Sequence, residues 1–174
     1  GQHCSAAGPA ATTNCAGDVS TSNNIRELMN IVPYKSDHID FIIEERTNDQ
    51  KPEDYKAYFG FGKGLDQPGM AYTAFDNGNV VCSAGIKNLW TGVGEAWIVS
   101  SWRIYERPVA VVKAIRARFD DIIEANNIHR VQAACRADWP EAVRFAEFLG
   151  FENEGLMRSY GVDGRDYFRY ARVI

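Results

Sequence analysis

The sequence predicts an α+β fold in which a mixed, mostly antiparallel sheet is flanked by helices. The pair Asn77-Gly78 lies between two apolar runs, and both residues accept the positive φ that a tight hairpin turn requires. An amphipathic helix over 108–126 lies between two apolar strands, an arrangement that makes those strands parallel members of one sheet. A second hairpin, rich in aromatic residues, ends the chain.

The segment before the first hairpin predicts one strand and two helices. The strand is Asn30–Tyr34, and Ser36 can cap the helix after it, whose isoleucines recur at helical spacing. The second, shorter helix is predicted over Glu53–Phe59. The glycine-rich run 60–64 is interpreted as a flexible connector, because a phosphate-binding loop would follow a strand and precede a Lys-Ser or Lys-Thr pair.

The elements from the first hairpin onward follow the order of strands, helix, strand, helix and a final pair of strands. Pro108 suits the first turn of the long helix, where a missing N–H costs nothing. Asp138 and Glu141 match a capping box at the start of the next helix, and Gly150 matches its left-handed end. The predicted strands are Met70–Phe75, Val80–Ile86, Glu95–Ser100, Val131–Cys135, Asn153–Tyr160 and Tyr167–Val173.

Length and composition predict one globular domain and disfavour two classes of partner. The chain has 174 residues, 45% of them hydrophobic, and a net charge of −4. An isoelectric point near 5.4 disfavours nucleic-acid binding, which usually needs a basic face. Because no apolar run approaches the ~20 residues that span a bilayer and no secretory signal begins the chain, we expect a cytoplasmic protein without a membrane partner.

Residues 1–28 are predicted to be a polar extension of a single domain that covers 29–174. Hardly any large apolar side chain occurs in that extension, so it has little to bury. The chain has four cysteines and no C-x-x-C pair, which disfavours a metal site. Cys82 and Cys135 lie in apolar strand patterns and are expected to be buried thiols, whereas the sequence leaves open whether Cys4 and Cys15 pair.

Two stretches resemble the GNAT (Gcn5-related) N-acetyltransferases. One is the run Ala142-x-x-Phe145-x-x-Phe148-Leu149-Gly150-Phe151 before the final strands, and the other is the strand 96–101, which enters the long helix without glycines. Within that family the chain is most similar to a GNAT-like subgroup of tailed phages, which includes an internal virion protein of podophages. The resemblance covers 29–174 and implies a splayed central pair of strands that holds acetyl-CoA. It also implies direct acetyl transfer to the amine of a small molecule or peptide.

The resemblance places the coenzyme between the two splayed strands and the start of the long helix. The pantetheine would pair with exposed backbone, with an amide near Val99 polarising the thioester carbonyl. The pyrophosphate would lie on amides of the helix N-terminus, where the helix dipole favours an anion. The residues carried over to this site are Ile98, Val99, Ser100, Arg103, Tyr105, Glu106, Arg107, Trp139 and Phe145.

The phosphate loop departs from the family pattern of Gln/Arg-x-x-Gly-x-Gly/Ala. Ile104, Arg107 and Val109 stand at its defining positions, and side chains larger than glycine keep a backbone away from the phosphates. Arg103 and Arg107 can instead meet the phosphates by charge. The alternative is that these arginines belong to the solvated face of the helix.

Glu95 and Tyr160 are the predicted catalytic residues. An alkylammonium must give up ~4–5 kcal/mol of proton affinity at pH 7 before it attacks, so a base is needed, and the family often keeps a carboxylate where this chain has Glu95. Ala146 stands where the family has a tyrosine that protonates the leaving thiolate. Tyr160 is predicted to replace that acid, with Tyr105 as the alternative.

The sequence therefore leaves three functions open. The first is an acyl-CoA-dependent N-acyltransferase, favoured by Glu95 and the retained architecture. The second is a catalytically degenerate GNAT-fold phage structural or assembly protein that does not bind CoA, favoured by the missing glycines; its location would be the host cytoplasm. The third is an acyl-CoA-binding regulator.

Two further predictions concern single features of the sequence. The aromatic residues of the C-terminal hairpin allow a homodimer. His38 and His129 are interpreted as structural, since neither has a recognisable Cys or Ser partner.

Overall fold

The computed structural model describes residues 29–47 and 62–174. Within these residues the chain forms one seven-stranded sheet with three α-helices and two short 3-10 helices. The strands are β1 (Asn30–Pro33), β2 (Ala71–Asp76), β3 (Asn79–Trp90), β4 (Val93–Ser100), β5 (Arg130–Arg136), β6 (Glu152–Met157) and β7 (Tyr167–Val173). The helices are α1 (Asp37–Thr47), α2 (Pro108–Ala125) and α3 (Pro140–Phe148), and the 3-10 helices are Gly62–Leu65 and Trp102–Tyr105.

The strands lie in the order β1-β2-β3-β4-β5-β7-β6. Neighbouring strands are antiparallel except β4 and β5, which run parallel because α2 connects them as a crossover. The predicted α+β class and the mixed, mostly antiparallel sheet are confirmed. The polar extension 1–28 and the helix predicted over Glu53–Phe59 lie outside the described residues.

Residues with positive φ end several strands and helices at the positions that the sequence predicts. Asn77 and Gly78 have φ of 50° and 78° and join β2 to β3 as the predicted hairpin. Gly150, with φ of 87°, ends α3. Its amide donates to Glu147 O at 2.9 Å and the Phe151 amide donates to Ala146 O at 3.1 Å, which is the hydrogen-bond pattern of a Schellman motif.

The start of α3 differs from the prediction. Trp139 precedes the first helical residue, Pro140, and makes no side-chain capping hydrogen bond. Asp138 instead accepts two hydrogen bonds from the Arg136 guanidinium, at 2.9 and 3.0 Å. The predicted capping box at Asp138 and Glu141 is therefore wrong, because the carboxylate is engaged by an arginine and Pro140 supplies the fixed φ that starts a helix. The 3-10 helix before α2 was also absent from the prediction.

The sheet buries an apolar cluster on each face. Ala96 of β4 packs in a cluster with residues of α2 and α3, whereas Trp97 packs with Tyr34 and residues of α1. Successive side chains of a strand point to opposite faces, so α1 covers one face of the sheet while α2 and α3 cover the other. In the described part of the chain, no helix combines the length and apolar character needed to cross a lipid bilayer.

Gly85 of β3 lies where the fold leaves least room for a side chain. A Cβ there would lie 2.5 Å from Met70 O and 2.6 Å from Ala71 Cβ. We expect Gly85→Ala to lower the free energy of unfolding by ~1–3 kcal/mol, measured by urea denaturation, because the clash involves backbone that cannot move aside freely. Gly64→Ala is the matched control, since its Cβ would have nothing within 4 Å. Equal effects of the two substitutions would contradict the close packing at Gly85.

Candidate active site

The parallel ladder between β4 and β5 is short. Its register pairs are Val93 with Arg130, Gly94 with Val131 and Glu95 with Gln132. Strand β4 continues to Ser100 and β5 to Arg136, but among the described residues these two strands share no register pair beyond Glu95. A gap therefore opens between their carboxyl-terminal halves, as predicted for the splayed central pair.

Strand β4 presents backbone groups to this gap. The Ser101 amide donates to Val81 O of β3 at 2.9 Å, and in an antiparallel pair alternate residues direct N–H and C=O to the same neighbour. Val99, which lies opposite Ser83, therefore points its amide towards β3. The backbone groups of Ala96 and Ile98 point the other way, towards the gap.

Ser101 fixes the direction in which β4 diverges. It is fully buried, and its hydroxyl donates to Val80 O of β3 at 2.8 Å. Because both its amide and its hydroxyl bind β3, the end of β4 stays with β3 and leaves β5. The chain then enters the 3-10 helix Trp102–Tyr105 and α2.

The predicted phosphate-binding residues lie between Ser101 and the start of α2, and two of them already contact carboxylates. Arg103 is half-buried, with its guanidinium 4.7 Å from the centre of the Trp102 ring and 4.0 Å from the Glu106 carboxylate. Tyr105 and Glu106 are exposed. Arg107 directly precedes α2 and donates to both carboxylate oxygens of Asp76, at 3.2 Å each.

The Arg107–Asp76 ion pair was missed by sequence reasoning. The Asp76 side chain is 14% exposed and that of Arg107 is 38% exposed. In the sequence Asp76 reads as a polar residue before a hairpin turn, and only the fold of β2 against the start of α2 brings the two side chains together. Asp76 thus balances a positive charge at the helix N-terminus.

The other two residues predicted to contact the coenzyme lie around α3. Trp139 is half-buried between β5 and α3, and the Arg136 guanidinium lies 5.9 Å from its ring centre. Phe145 is half-buried against the core on the α2 side of the sheet. Parallel strands end at the same edge of a sheet, so Trp139, which follows β5, lies at the same end of the gap as the segment that follows β4.

Glu95 and Tyr160 are brought together by an arginine of β7. Glu95 Oε1 accepts from Arg169 at 3.3 Å, and Oε2 accepts from Gln132 at 3.3 Å. The Arg169 guanidinium also lies 5.8 Å from the centre of the Tyr160 ring, which packs edge-on against Tyr167. The carboxylate sits at the closed end of the gap, since Glu95 is the last residue of β4 that pairs with β5.

Arg169 and Gln132 carry no sequence signal for a site. Each is a polar residue within a mostly apolar strand, and half-exposed strands commonly contain such residues. The register shows their proximity: Gln132 lies opposite Glu95, and Arg169 lies opposite Ala134 of β5. Only knowledge of this strand register would have identified Gln132 and Arg169 as neighbours of Glu95.

The two described cysteines are unsuited to nucleophilic catalysis. Cys82 is buried and Cys135 half-buried, and both are free thiols. Burial raises the pKa of the Cys82 thiol to about 12 and that of Cys135 to about 11. Since the thiolate is the reactive form, neither forms a nucleophile readily at neutral pH.

The architecture has solved counterparts, several of them named as acetyltransferases. Ard1 from Thermoplasma volcanium matches with a TM-score of 0.68 at 16% identity, covering 84% of this chain and 98% of that chain. A GNAT-family acetyltransferase from Bacillus anthracis matches with a TM-score of 0.62 at 16% identity, covering 84% and 95%. The chain has the GNAT fold.

A third match with the GNAT fold is a mutant of the spermidine N-acetyltransferase SpeG from Vibrio cholerae. Its TM-score is 0.61 at 14% identity, and the alignment covers 83% of this chain and 94% of that chain. No protein-family model and no curated protein matches the sequence. The likeness therefore lies in the three-dimensional arrangement of the elements.

His38 has a structural place in this GNAT fold. Its Nδ1 accepts from the Lys35 amide at 3.2 Å and lies 2.8 Å from Thr73 Oγ1, which lies 2.9 Å from Ser83 Oγ. An Nδ1 that accepts an amide proton belongs to a neutral ring, so Thr73 donates to His38 and Ser83 donates to Thr73. Thr73 and Ser83 are fully buried, and the chain of hydrogen bonds ties α1 to β2 and β3.

Burial lowers the pKa of the His38 imidazole below its usual value; Asp37 opposes this effect and Lys35 adds to it. The folded protein then binds fewer protons at this site than the unfolded chain does. The stability contributed by neutral His38 is present in full above about pH 6.5, the ordinary pKa of histidine. It is lost as the pH falls from there through the folded pKa.

We therefore expect the wild-type free energy of unfolding to fall between pH 8 and pH 5 by more than that of His38→Gln, whose amide oxygen can accept the same hydrogen bonds without titrating. Urea denaturation at both pH values measures the difference. His129→Gln is the matched control, because His129 is exposed at the start of β5, and it should retain the wild-type difference. An unchanged pH dependence in His38→Gln would refute the assignment.

Proposed function

We propose that the protein is an N-acetyltransferase that transfers the acetyl group of acetyl-CoA to an amine. The observation that carries the proposal is the backbone of β4 beyond Glu95, which faces a gap with a carboxylate at its closed end. Solved structures with the same fold include an enzyme named for the acetylation of spermidine, an amine. This likeness supports an amine as the acceptor.

The donor would lie in the gap as an added strand. Its pantetheine would pair with the backbone of Ala96 and Ile98, and the Ile98 amide, rather than that of Val99, would polarise the thioester carbonyl. Ser100 would border the pantetheine towards the phosphates. Trp139 and Phe145 would contact the coenzyme from the side of α3.

The pyrophosphate would lie at the first turn of α2, whose amides have no acceptor within the helix. Pro108 removes one of these donors, so the charge of Arg103 and Arg107 has to supplement the amides of Val109 and Ala110. Tyr105 and Glu106 lie in the same segment and would border the phosphates. In this assignment Arg107 exchanges Asp76 for a phosphate oxygen.

The reaction would be a direct attack of the amine nitrogen on the thioester carbonyl. Glu95 takes a proton from the ammonium, and the freed amine forms a C–N bond with the carbonyl carbon. The C–S bond then breaks to release CoA as a thiolate, and the nitrogen gives its second proton to solvent. Tyr160 gives a proton to that thiolate; without it the thiolate costs only ~2 kcal/mol at pH 7, given a thiol pKa near 8.5. The raised pKa values of Cys82 and Cys135 favour this route over one through a cysteine thioester.

A second candidate function is a GNAT-fold phage structural or assembly protein that does not bind CoA. The Arg107–Asp76 ion pair favours this second candidate, because the Asp76 carboxylate occupies the guanidinium of Arg107, which directly precedes α2 and is best placed for phosphate. The stretch 96–98 of β4, which has no register partner in β5 within the residues that the structure describes, favours the enzyme. The phage relationship, the cytoplasmic location, the single domain over 29–174 and the homodimer stay predictions.

Acetyl-CoA binding separates the two candidates. Acetyl-CoA at 100 times its dissociation constant should add ~2.7 kcal/mol to the free energy of unfolding, seen as a rise in Tm during thermal unfolding. Arg107→Gln should weaken binding because the phosphate loses a cation. Asp76→Asn is the matched control, since it breaks the same ion pair but leaves the arginine, and it should bind at least as tightly as wild type. No rise in Tm with acetyl-CoA or CoA would exclude the transferase.

Glu95 is tested by its effect on turnover. Glu95→Gln should lower kcat at pH 7 by a factor of ~10²–10⁴, the range for loss of a general base, while leaving the rise in Tm with acetyl-CoA unchanged. Its activity should recover as the pH rises, because more of the amine is then deprotonated in solution. Glu154→Gln is the control, as Glu154 forms an ion pair with Arg130 away from the gap. Equal losses of kcat in both variants would remove Glu95 from the base position.

A further inference from the structure

The ion pair between Glu95 and Arg169 spans an intervening strand. Glu95 belongs to β4 and Arg169 to β7, with β5 between them. Two strand spacings separate their backbones by ~10 Å across the sheet, so each side chain has to lean over β5 for the charged groups to meet at 3.3 Å. The residue of β5 opposite Arg169 is Ala134, whose small side chain leaves space above it.

The surroundings hold each end of the pair in place. Gln132 donates to the second oxygen of Glu95, and the Tyr160 ring lies beside the Arg169 guanidinium. The side chains of Glu95 and Arg169 are 28% and 22% exposed, so a ligand at the closed end of the gap can reach both. If the two side chains straightened, a carboxylate and a guanidinium would face each other across a short opening.

Four carboxylates in this part of the structure form ion pairs with arginines. Besides the pair of Glu95 with Arg169, the structure has ion pairs of Glu154 with Arg130, Asp138 with Arg136 and Asp163 with Arg165. A polyamine would have to displace an arginine for each of these carboxylates that it contacted. A ligand that carries one positive and one negative charge would replace the Glu95–Arg169 contact with two equivalent ones.

We propose that the acceptor is an amine that carries a carboxylate on the adjacent carbon, as a free α-amino acid does, with its ammonium on Glu95 and its carboxylate on Arg169. This inference rests on the proposed transferase function. The planar guanidinium matches a carboxylate with two parallel hydrogen bonds.

The test compares acceptors that differ only in the carboxylate. L-Alanine, L-phenylalanine and L-glutamate are each assayed beside their α-amides, with spermidine as the polycation, by following CoA release. At least one amino acid should show a kcat/KM ten or more times that of its amide and of spermidine. Arg169→Gln should bring that ratio close to one, Arg169→Lys should restore part of it, and Arg172→Gln should leave it intact. Arg172 is a suitable control because it lies in the same strand but pairs with Asp120 of α2.

Binding measurements without turnover test the amino-acid site separately from the transferase function. Each acceptor alone is titrated during thermal unfolding of wild type and Arg169→Gln. If an amino acid raises Tm only when Arg169 is present while acetyl-CoA neither binds nor reacts, the amino-acid site at Glu95 and Arg169 stands, but the transferase and the acceptor role fall. If acetyl-CoA binds and the amides or spermidine react as well as the amino acids, the acceptor assignment is overturned and the transferase stands. If no acceptor and no coenzyme binds, both are overturned.

Discussion

Two hydrogen-bond ladders compete for strand β4, and they differ in length. The antiparallel ladder to β3 reaches Ser100, and the buried Ser101 extends it with an amide and a hydroxyl bond to β3 carbonyls. The parallel ladder to β5 ends at Glu95. Since β4 cannot follow both neighbours once they diverge, the stronger attachment to β3 leaves its other edge open. Backbone groups at such an edge need solvent or a ligand as partner.

The charged residues at the two ends of this gap are arranged alike. Glu95 at the closed end is paired with Arg169, and Arg107 at the start of α2 is paired with Asp76. Partly exposed ion pairs of this kind contribute only ~0–1 kcal/mol to stability. A ligand with complementary charges can therefore replace either pair at little energetic expense, and until then the pair keeps the side chain in position.

The face covered by α1 is held by a different kind of interaction. There the neutral His38 ring, Thr73 and Ser83 form a chain of hydrogen bonds. A buried chain of this kind keeps the helix in register with β2 and β3, since breaking one bond would leave a polar group unsatisfied in the core. Ser83 lies opposite Val99 of β4, so the same chain supports the strand that lines the gap. This explains His38 without a catalytic role.

Local chemistry determined much of the fold in advance. The hairpin at Asn77-Gly78, the helix that Pro108 begins and the glycine stop at Gly150 follow from backbone preferences that act within a few residues. The position of Glu95 at the head of a splayed strand was likewise available from the sequence through its resemblance to a known fold. The capping box at Asp138 failed because Arg136, two residues away, takes the carboxylate, and local patterns do not rank competing partners.

The partners of the site residues were decided by tertiary structure alone. Arg169 reaches Glu95 through the register of three strands, and Asp76 reaches Arg107 because β2 ends beside the start of α2. Side-chain alternation in a strand indicates which face a residue occupies, but it carries no information about which distant strand lies next to it. The elements of this protein were therefore predictable from its sequence, whereas the charge balance of its gap required the register and order of the assembled sheet.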